Sequence, residues 1–232
     1  MKSPTLAIDN NYEQFYAQRE SVKVYPTEFV LRTFLAKYPN LNFRKPIFGE
    51  RVLDIAFGDG RNTVFLCEQG YAVSGIEITE GIVRQTKKRL EKLGYEADLR
   101  VGRNSKMPFP DGYFDYLLAC HCCYYCDDGE TFADNMKEYA RVMKPGAWLV
   151  ASLACRSSYI FNNAIALEDG SFRIQSDPYN NRVGYRLQGF STKDQIQSYL
   201  SPWFVQFSFG FADNDFYGVS ERVYWVVCQK RE

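Results

Sequence analysis

The sequence predicts a protein of the α/β class with a mostly parallel sheet, and two observations carry this prediction. Short apolar segments alternate with amphipathic stretches between residues 51 and 154, which is typical of strand–helix–strand units. Glycines and other turn residues stand at the boundaries between the two kinds of segment. Because crossovers between parallel strands are right-handed, helices should cover both faces of the sheet.

Five strands are predicted before residue 155, each by a short apolar run, at 51–56, 71–76, 96–101, 113–120 and 147–154. A helix from Thr79 to Leu93 is predicted by its polar N-cap and by Gly94, which stops it. Two more helices are predicted between the strands, at 61–69 and, ended by Lys144-Pro145-Gly146, at 129–143.

Two further strands are predicted near the C-terminus, at 203–209 and 219–229, after a short helix at 191–200 that Ser191 or Thr192 caps. The link between these strands is short and contains the turn-forming residues Asp213, Asn214, Asp215 and Gly218. Such a link favours an antiparallel hairpin. The whole pattern predicts a seven-stranded, mostly parallel sheet with an antiparallel C-terminal strand.

The composition excludes several classes of protein. The chain has 232 residues, of which 46% are hydrophobic and 16% aromatic, so disorder is excluded. Its 28 basic and 28 acidic residues give zero net charge, which argues against a nucleic-acid partner. No apolar run has the length of a membrane span, and no export signal is visible. The seven cysteines are therefore expected to be free thiols in the cytoplasm.

The strongest motif is VLDIAFGDG at 52–60, which joins the first strand to the first helix. Glycines at such a turn let the backbone approach a ligand closely, and the helix that begins near Arg61 points free N–H groups at it. Glu77 follows at the end of the second strand, where an acidic residue can accept hydrogen bonds from both ribose hydroxyls. Together these features favour a cofactor that contains adenosine.

The spacing of this motif differs from a dinucleotide fingerprint, G-x-G-x-x-G. Asp54 stands before the glycines, where its carboxylate repels a pyrophosphate but suits a cofactor with an ammonium group and a sulfonium cation. The motif resembles that of the class I S-adenosylmethionine-dependent methyltransferases, an acidic residue followed by G-x-G-x-G. Ala56 replaces the first glycine, and alanine is tolerated there if φ stays negative.

Two later segments resemble the same family. Residues 102–115, GRNSKMPFPDGYFD, are similar to its segment between strands three and four, and residues 138–146, EYARVMKPG, to its R-V-L-K-P-G turn. The resemblance covers roughly residues 50–154. It implies a Rossmann-like fold with S-adenosylmethionine as cofactor and S-adenosylhomocysteine as product.

We predict one methyltransferase domain over residues 1–232. It divides into a helical N-terminal lid at 1–48, a cofactor-binding core at 49–154, a substrate-side insertion at 155–190, and a C-terminal helix and hairpin at 191–232. The insertion is polar and irregular, and a long ordered stretch without periodicity is often functional. Aromatic residues of the lid, Tyr12, Phe15 and Tyr16, are candidate contacts of the cofactor. Four arginines of the insertion could hold a carboxylate or phosphate of the acceptor, or else be solvated surface charges: Arg156, Arg173, Arg182 and Arg186.

The resemblance also implies positions that contact the cofactor, namely Tyr16, Asp54, Ala56, Phe57, Gly58, Gly60, Asn62, Glu77, Ile78, Asn104, Ser105, Met107, Ala119 and Cys120. Arg103 stands where the family often has an acidic residue that contacts the adenine amino group. We expect Asn104 and Ser105 to supply the adenine contacts instead, with Arg103 pointing to solvent.

The segment ACHCCYYCDD at 119–128 follows the fourth strand, where ligands of an open α/β sheet bind. His121 is the only histidine and a candidate general base, or else a structural residue behind the site. Tyr124 and Tyr125 are further candidate catalytic residues. The cysteines have three interpretations, as metal ligands, as reactive thiols or as small buried hydrophobes. We predict no metal site.

The sequence therefore predicts a methyltransferase that acts on an oxygen or nitrogen of a small-molecule acceptor, such as a metabolite, sugar or natural product. One alternative is a protein or RNA methyltransferase. Another is a catalytically idle S-adenosylmethionine-binding module that regulates a partner. The sequence indicates no membrane partner and does not indicate the oligomeric state.

Overall fold

The computed structural model describes residues 4–19 and 23–232, and strands and helices alternate along most of it. The strands, in chain order, are β1 Arg51–Ile55, β2 Ala72–Glu77, β3 Asp98–Val101, β4 Phe114–Ala119, β5 Tyr125–Cys126, β6 Met143–Ala154, β7 Ile165–Ala166, β8 Phe172–Arg173, β9 Arg186–Leu187, β10 Phe204–Phe216 and β11 Val219–Lys230. The helices are α1 Pro4–Ala17, α2 Glu28–Leu35, α3 Arg61–Glu68, α4 Glu80–Leu93, α5 Phe132–Val142 and α6 Lys193–Leu200, with a 3-10 turn at Tyr159–Phe161.

Seven of the strands within the described residues form one sheet in the order β10-β11-β6-β4-β1-β2-β3. The pairs β1–β2, β1–β4, β2–β3 and β4–β6 are parallel, whereas β11 is antiparallel to both of its neighbours. The predicted seven-stranded, mostly parallel sheet with an antiparallel C-terminal strand is confirmed. The strand order reverses between β1 and β4, and this is where open α/β sheets bind ligands.

Helices cover both faces of this sheet, because its central strands are apolar on both sides. Leu53 of β1 and Leu117 of β4 pack in one core with the inner sides of α5 and α6. Val52 and Leu118, their neighbours in sequence, point the opposite way into a second core with α2 and α3. Strands that are buried on both faces are typical of a parallel sheet, so the sheet fixes the ends of β1, β2 and β4 rigidly.

The predicted helix ends agree with the structure where the capping residues are strong. Helix α4 has Thr79 as N-cap, whose hydroxyl accepts the N–H of Ile82, and Gly94 as a left-handed C-cap. Helix α5 begins later than predicted, because Thr131 and Asp134 form a capping box. Thr192, one of the two candidate caps, begins α6.

The N-terminal segment is helical in two parts only, α1 and α2, while residues 36–50 are irregular. Residues 1–3 and 20–22 of this predicted helical segment lie outside the described residues. None of the helices in the described part of the chain is both long and apolar enough to cross a membrane.

The prediction for the C-terminal hairpin was wrong about its turn. Asp213, Asn214 and Asp215 belong to β10, and the turn is only Tyr217-Gly218, both with positive φ. The reason is that β10 and β11 extend past β6, whose last residue, Ala154, pairs with Val223. Among the described residues no third strand pairs with this overhanging end of the hairpin, and polar residues occupy strand positions there.

The prediction that residues 155–190 are irregular was also wrong in part. Three two-residue strands of this insertion, β7, β8 and β9, join β5 in a small antiparallel sheet in the order β5-β9-β8-β7. Strands this short give no alternating pattern that a sequence can reveal. The small sheet attaches the insertion to the segment that follows β4.

Candidate functional site

A cavity of about 400 Å³ lies at the carboxyl ends of β1, β2, β3 and β4. This volume is in the range of small-molecule sites. The loops after these four strands line it with residues 55–57, 76–78, 102–104 and 120–122. Helix α1 adds aromatic side chains, and the overhanging hairpin adds Glu221. The insertion adds Tyr179, Asn181, Arg182 and Tyr185, so segments distant in sequence complete the cavity.

Ala56 begins the turn after β1 in a left-handed conformation, with φ of 54°. The condition under which an alanine was expected to be tolerated, a negative φ, is therefore not met. Left-handed backbone costs a residue with a Cβ about 1–2 kcal/mol relative to glycine. The turn retains the shape of a glycine turn although it lacks the glycine.

The Ala56→Gly variant is expected to be more stable than the wild type. Relief of the left-handed strain exceeds the additional chain entropy of glycine, which leaves a net gain of about 0.5–1 kcal/mol in the free energy of unfolding. Urea denaturation measures this gain. Ala119→Gly, at a buried strand position, is the control and should lose stability. Equal destabilisation of both variants would contradict the strain at Ala56.

The glycines of the turn are required by geometry. Gly58 and Gly60 have φ of 57° and 78°, and Gly60 is the N-cap of α3. A Cβ at Gly58 would collide with the hydroxyl of Tyr16, and one at Gly60 would lie 2.7 Å from Cγ2 of Thr86. The turn is therefore enclosed by α1 on one side and α4 on the other.

Glu77 at the end of β2 is buried and holds the turn with both carboxylate oxygens. Oε1 accepts the N–H of Gly58 at 3.0 Å, and Oε2 accepts the N–H of Ile78 at 2.7 Å. Burial raises the pKa of Glu77 to about 7, against the lowering effect of these two hydrogen bonds. Each oxygen retains lone pairs, and the side chain lines the cavity, so the carboxylate can still accept two hydroxyl protons.

Two acidic residues of the glycine turn differ in position. Asp54 is buried outside the cavity lining, accepts the Thr63 hydroxyl at 2.7 Å, and has its pKa raised by burial to about 7. Asp59, which was not predicted to belong to the site, lines the cavity instead. Its Oδ2 is buried with no hydrogen bond from any described residue and lies 3.5 Å from Nε of Arg19. A buried carboxylate oxygen in this state suits a ligand ammonium group.

Arg103 does not point to solvent as expected. It lines the cavity and bridges two carboxylates, one from buried Asp9 of α1 and one from Asp127, whose Oδ1 lies 2.8 Å from Nη1. The hydroxyl of Tyr185 donates to Asp9 at 3.0 Å. Arg103 therefore fastens α1 over the cavity.

The residues expected near adenine are only partly at the cavity. The Asn104 side chain lines it but donates to the carbonyls of Cys122 and Tyr125 at 2.9 and 3.1 Å, and accepts the hydroxyl of Tyr139 at 2.7 Å. It therefore braces the loop after β4. Ser105 and Met107 do not line the cavity.

His121 lies in the cavity wall in a left-handed backbone conformation, with φ of 57°. Its backbone N–H donates to Ser152 Oγ at 2.7 Å. Strained backbone of this kind is concentrated at functional sites. Burial, and then the charges of Arg182 and Arg61, lower the pKa of His121 to about 4. The imidazole is therefore neutral at pH 7.

The lowered pKa of His121 predicts a pH dependence of stability. In the unfolded chain a histidine titrates near pH 6.5, so between pH 6.5 and 4 the unfolded state binds a proton that the folded state does not. The wild type should therefore lose stability over this range. The His121→Gln variant should lose less, as measured by urea denaturation at pH 7, 5.5 and 4. Parallel losses in both proteins would contradict the lowered pKa.

Tyr125 connects the cavity wall to the lid and the insertion. Its hydroxyl lies 2.7 Å from the hydroxyl of Tyr12 and accepts Nε of Arg182 at 3.0 Å. Arg182 also donates to Tyr159 and is paired with Asp177, whose side chain is fully buried. Tyr124, the other predicted catalytic tyrosine, is buried in the core and does not line the cavity.

The cysteines are free thiols, and burial raises the pKa of those near the site. The pKa of Cys120 is raised to about 11 and that of Cys126 to about 12. Raised pKa values disfavour the thiolate that reactive-thiol chemistry needs. Across residues 4–19 and 23–232 no three candidate ligands form a metal-binding group.

The structure thus places ten of the predicted site residues in the cavity wall, namely Tyr16, Ala56, Phe57, Asn62, Glu77, Ile78, Asn104, Cys120, His121 and Tyr125. The others lie outside the lining: Asp54, Gly58, Gly60, Ser105, Met107, Ala119 and Tyr124. Two residues of the cavity wall, Asp59 and Glu221, were not predicted. Asp59 could have been predicted, because it is a second acidic residue of the glycine motif after Asp54. No feature of the sequence indicates Glu221.

A glycine turn, a buried carboxylate after β2 and a cavity at the switch point define a Rossmann-like site for an adenosine-containing cofactor. Residues 53–151 match the family model described as a methyltransferase domain. An uncharacterised methyltransferase of Geobacillus sp. (strain WCH70) is 31% identical over 162 residues, 68% of this chain and 73% of that protein. The chain belongs to the class I S-adenosylmethionine-dependent methyltransferase family.

Other known proteins are similar to parts of the chain. A demethylmenaquinone methyltransferase of Tropheryma whipplei (strain Twist) is 34% identical over 105 residues, 44% of this chain, and the match spans only 41% of that protein's length. A ubiquinone biosynthesis O-methyltransferase of Maricaulis maris (strain MCS10) is 25% identical over 191 residues, 78% of this chain and 74% of that protein. The structure of an S-adenosylmethionine-dependent methyltransferase of Methanosarcina mazei has a TM-score of 0.64 at 23% identity, covering 85% of this chain and 99% of that one, and shares the fold.

Proposed function

We propose that this protein transfers a methyl group from S-adenosylmethionine to an oxygen or nitrogen of a small-molecule acceptor. The observation that carries the proposal is Glu77, a buried carboxylate that faces the cavity with both oxygens available to ribose hydroxyls. The glycine turn beside it leaves room for a ligand to approach the backbone. Asp59 forms ion pairs with Arg19 and Arg61, and its Oδ2, which accepts no hydrogen bond from the described residues, can accept one from the ammonium group of the cofactor.

A small acceptor is favoured over a macromolecule by the shape and charge of the site. The cavity is lined by Tyr12, Phe15, Tyr179 and Tyr185 and is covered by the lid and the insertion, which suits a compact acceptor. The chain has no net charge to attract a polyanion. Two relatives are named for small molecules, demethylmenaquinone and ubiquinone, in agreement with this class of acceptor. The free thiols favour a cytoplasmic location.

The chain's own residues position the reactants. S-adenosylmethionine supplies an activated methyl group, and its transfer by in-line displacement gains most of its rate from alignment. Glu77 would hold the ribose of the cofactor and Asp59 its ammonium group, while α1 and the insertion exclude water from the cavity. We assign the acceptor to the part of the cavity beside Tyr125, where the fixed cation of Arg182 lies.

Calorimetry with S-adenosylmethionine and S-adenosylhomocysteine tests the proposal, followed by incubation with isotopically labelled cofactor and a whole-cell extract whose small molecules, protein and RNA are then separated. Micromolar binding and label in a small molecule are expected. No binding at millimolar ligand would overturn the proposal. Binding followed by label only in protein or RNA would identify a macromolecular methyltransferase, and binding without transfer would identify an idle module.

A further inference from the structure

The acceptor end of the cavity contains a carboxylate that belongs to none of the family's cofactor motifs. Glu221 of β11 lines the cavity together with His121, Tyr125 and Arg182. It pairs with Asn214 in the overhanging end of the hairpin, beyond the last residue of β6. The overhang therefore places one acidic side chain of the C-terminal hairpin at the site that the strands of the core build.

The Glu221 carboxylate is half-buried and open to the cavity. No hydrogen bond or salt bridge from the residues that the structure describes reaches it, although the positive charge of Arg182 lies near enough to act on it. The hydroxyl groups of Tyr124 and Tyr159 are within electrostatic reach from two other elements. A carboxylate without partners, facing a cavity, is available to a hydrogen-bond donor on a ligand.

We propose that Glu221 receives the proton of the methyl acceptor, and that the acceptor presents a hydroxyl or amine group to it. This inference rests on the proposed function. The acceptor oxygen or nitrogen forms a bond to the methyl carbon with its lone pair, the bond between that carbon and sulfur breaks with its electron pair remaining on sulfur, and the O–H or N–H proton passes to Glu221. The methylated acceptor and S-adenosylhomocysteine remain.

Glu221 is better suited to this role than His121, the base that the sequence suggested. Burial raises the pKa of Glu221 above its usual range, partly offset by the charge of Arg182. The same arginine, with burial and Arg61, lowers the pKa of His121 to about 4. A base is most effective when its pKa is near the working pH, which favours the carboxylate over this imidazole.

Sinefungin provides a test that needs no knowledge of the acceptor. In this analogue a carbon with an ammonium group replaces the sulfur and its methyl group, so that the cation faces the acceptor side. The wild type should bind sinefungin more tightly than S-adenosylhomocysteine, as measured by calorimetry. Glu221→Gln should reduce this preference by about tenfold, because a charged hydrogen bond is lost, while binding of S-adenosylhomocysteine stays unchanged.

Asp213→Asn is the matched control, since it removes a carboxylate from the same hairpin outside the cavity lining, and it should keep the wild-type preference. If Glu221→Gln fails to fold, Glu221→Ser replaces it with the same expectation. An unchanged preference in the Glu221 variant would overturn the assignment while leaving the proposed function intact. A wild type that binds neither ligand would overturn both.

Discussion

The Glu77→Ala variant is expected to bind S-adenosylhomocysteine at least about a hundredfold more weakly than the wild type. Two charged hydrogen bonds to the ribose hydroxyls are lost, each contributing about 1.5 kcal/mol or more. The N–H groups of Gly58 and Ile78 also lose their acceptors, which loosens the turn. Calorimetry measures the change in affinity.

Glu80→Ala is the matched control for this prediction, because Glu80 is an exposed acidic residue in the first turn of α4. It should bind as the wild type does. Near-wild-type affinity in Glu77→Ala would remove the ribose assignment.

Because the pKa of Glu77 is raised to about 7 and ribose hydroxyls favour its ionised form, the affinity of the wild type for S-adenosylhomocysteine should increase from pH 6 to pH 8.

The Asp9→Ala variant is expected to release helix α1 from the cavity. Asp9 is 2% exposed, pairs with Arg103 and accepts the hydroxyl of Tyr185, so its removal takes one of the two carboxylates from Arg103 and leaves the Tyr185 hydroxyl without this acceptor. Arg103 retains Asp127, which limits the cost to about 2 kcal/mol, less than for an isolated buried pair. Amide exchange in α1 should therefore become about thirtyfold faster.

Hydrogen exchange followed by mass spectrometry measures this change in the free protein. Asn10→Ala, an exposed neighbour on the same helix, should leave the exchange of α1 unaltered. The Asp9 variant should also release bound S-adenosylhomocysteine faster. If α1 in Asp9→Ala keeps its wild-type protection, Arg103 does not fasten the helix.

The core of the fold could be predicted because its signals are local. The apolar strands, the cap at Thr79 and the stop at Gly94 each act within a few residues, and the structure has them as expected. The overhanging hairpin could not be predicted, since a run of polar residues such as Asp213 to Asp215 is typical of a turn, although the structure has it in a strand. The two-residue strands of the insertion are set by pairing distant in sequence.

In the candidate site, too, local features could be predicted and contacts between distant residues could not. Glu77 could be predicted because it follows directly from the end of a strand beside the glycine turn. The position of Arg103 could not, because its partner Asp9 is 94 residues away in sequence. Ala56 was recognised as a departure from the motif, but its positive φ follows from the shape of the turn and not from the residue itself.

Cys120 lies in the cavity wall, partly exposed, with a thiol whose pKa is raised to about 11. Alkylating reagents attack the thiolate, so this residue should react slowly in the free protein at neutral pH. The rate of Cys120 alkylation, read from its own peptide, then measures how far a ligand occupies the cavity. It requires no introduced probe, and ligands that fill the cavity should slow it.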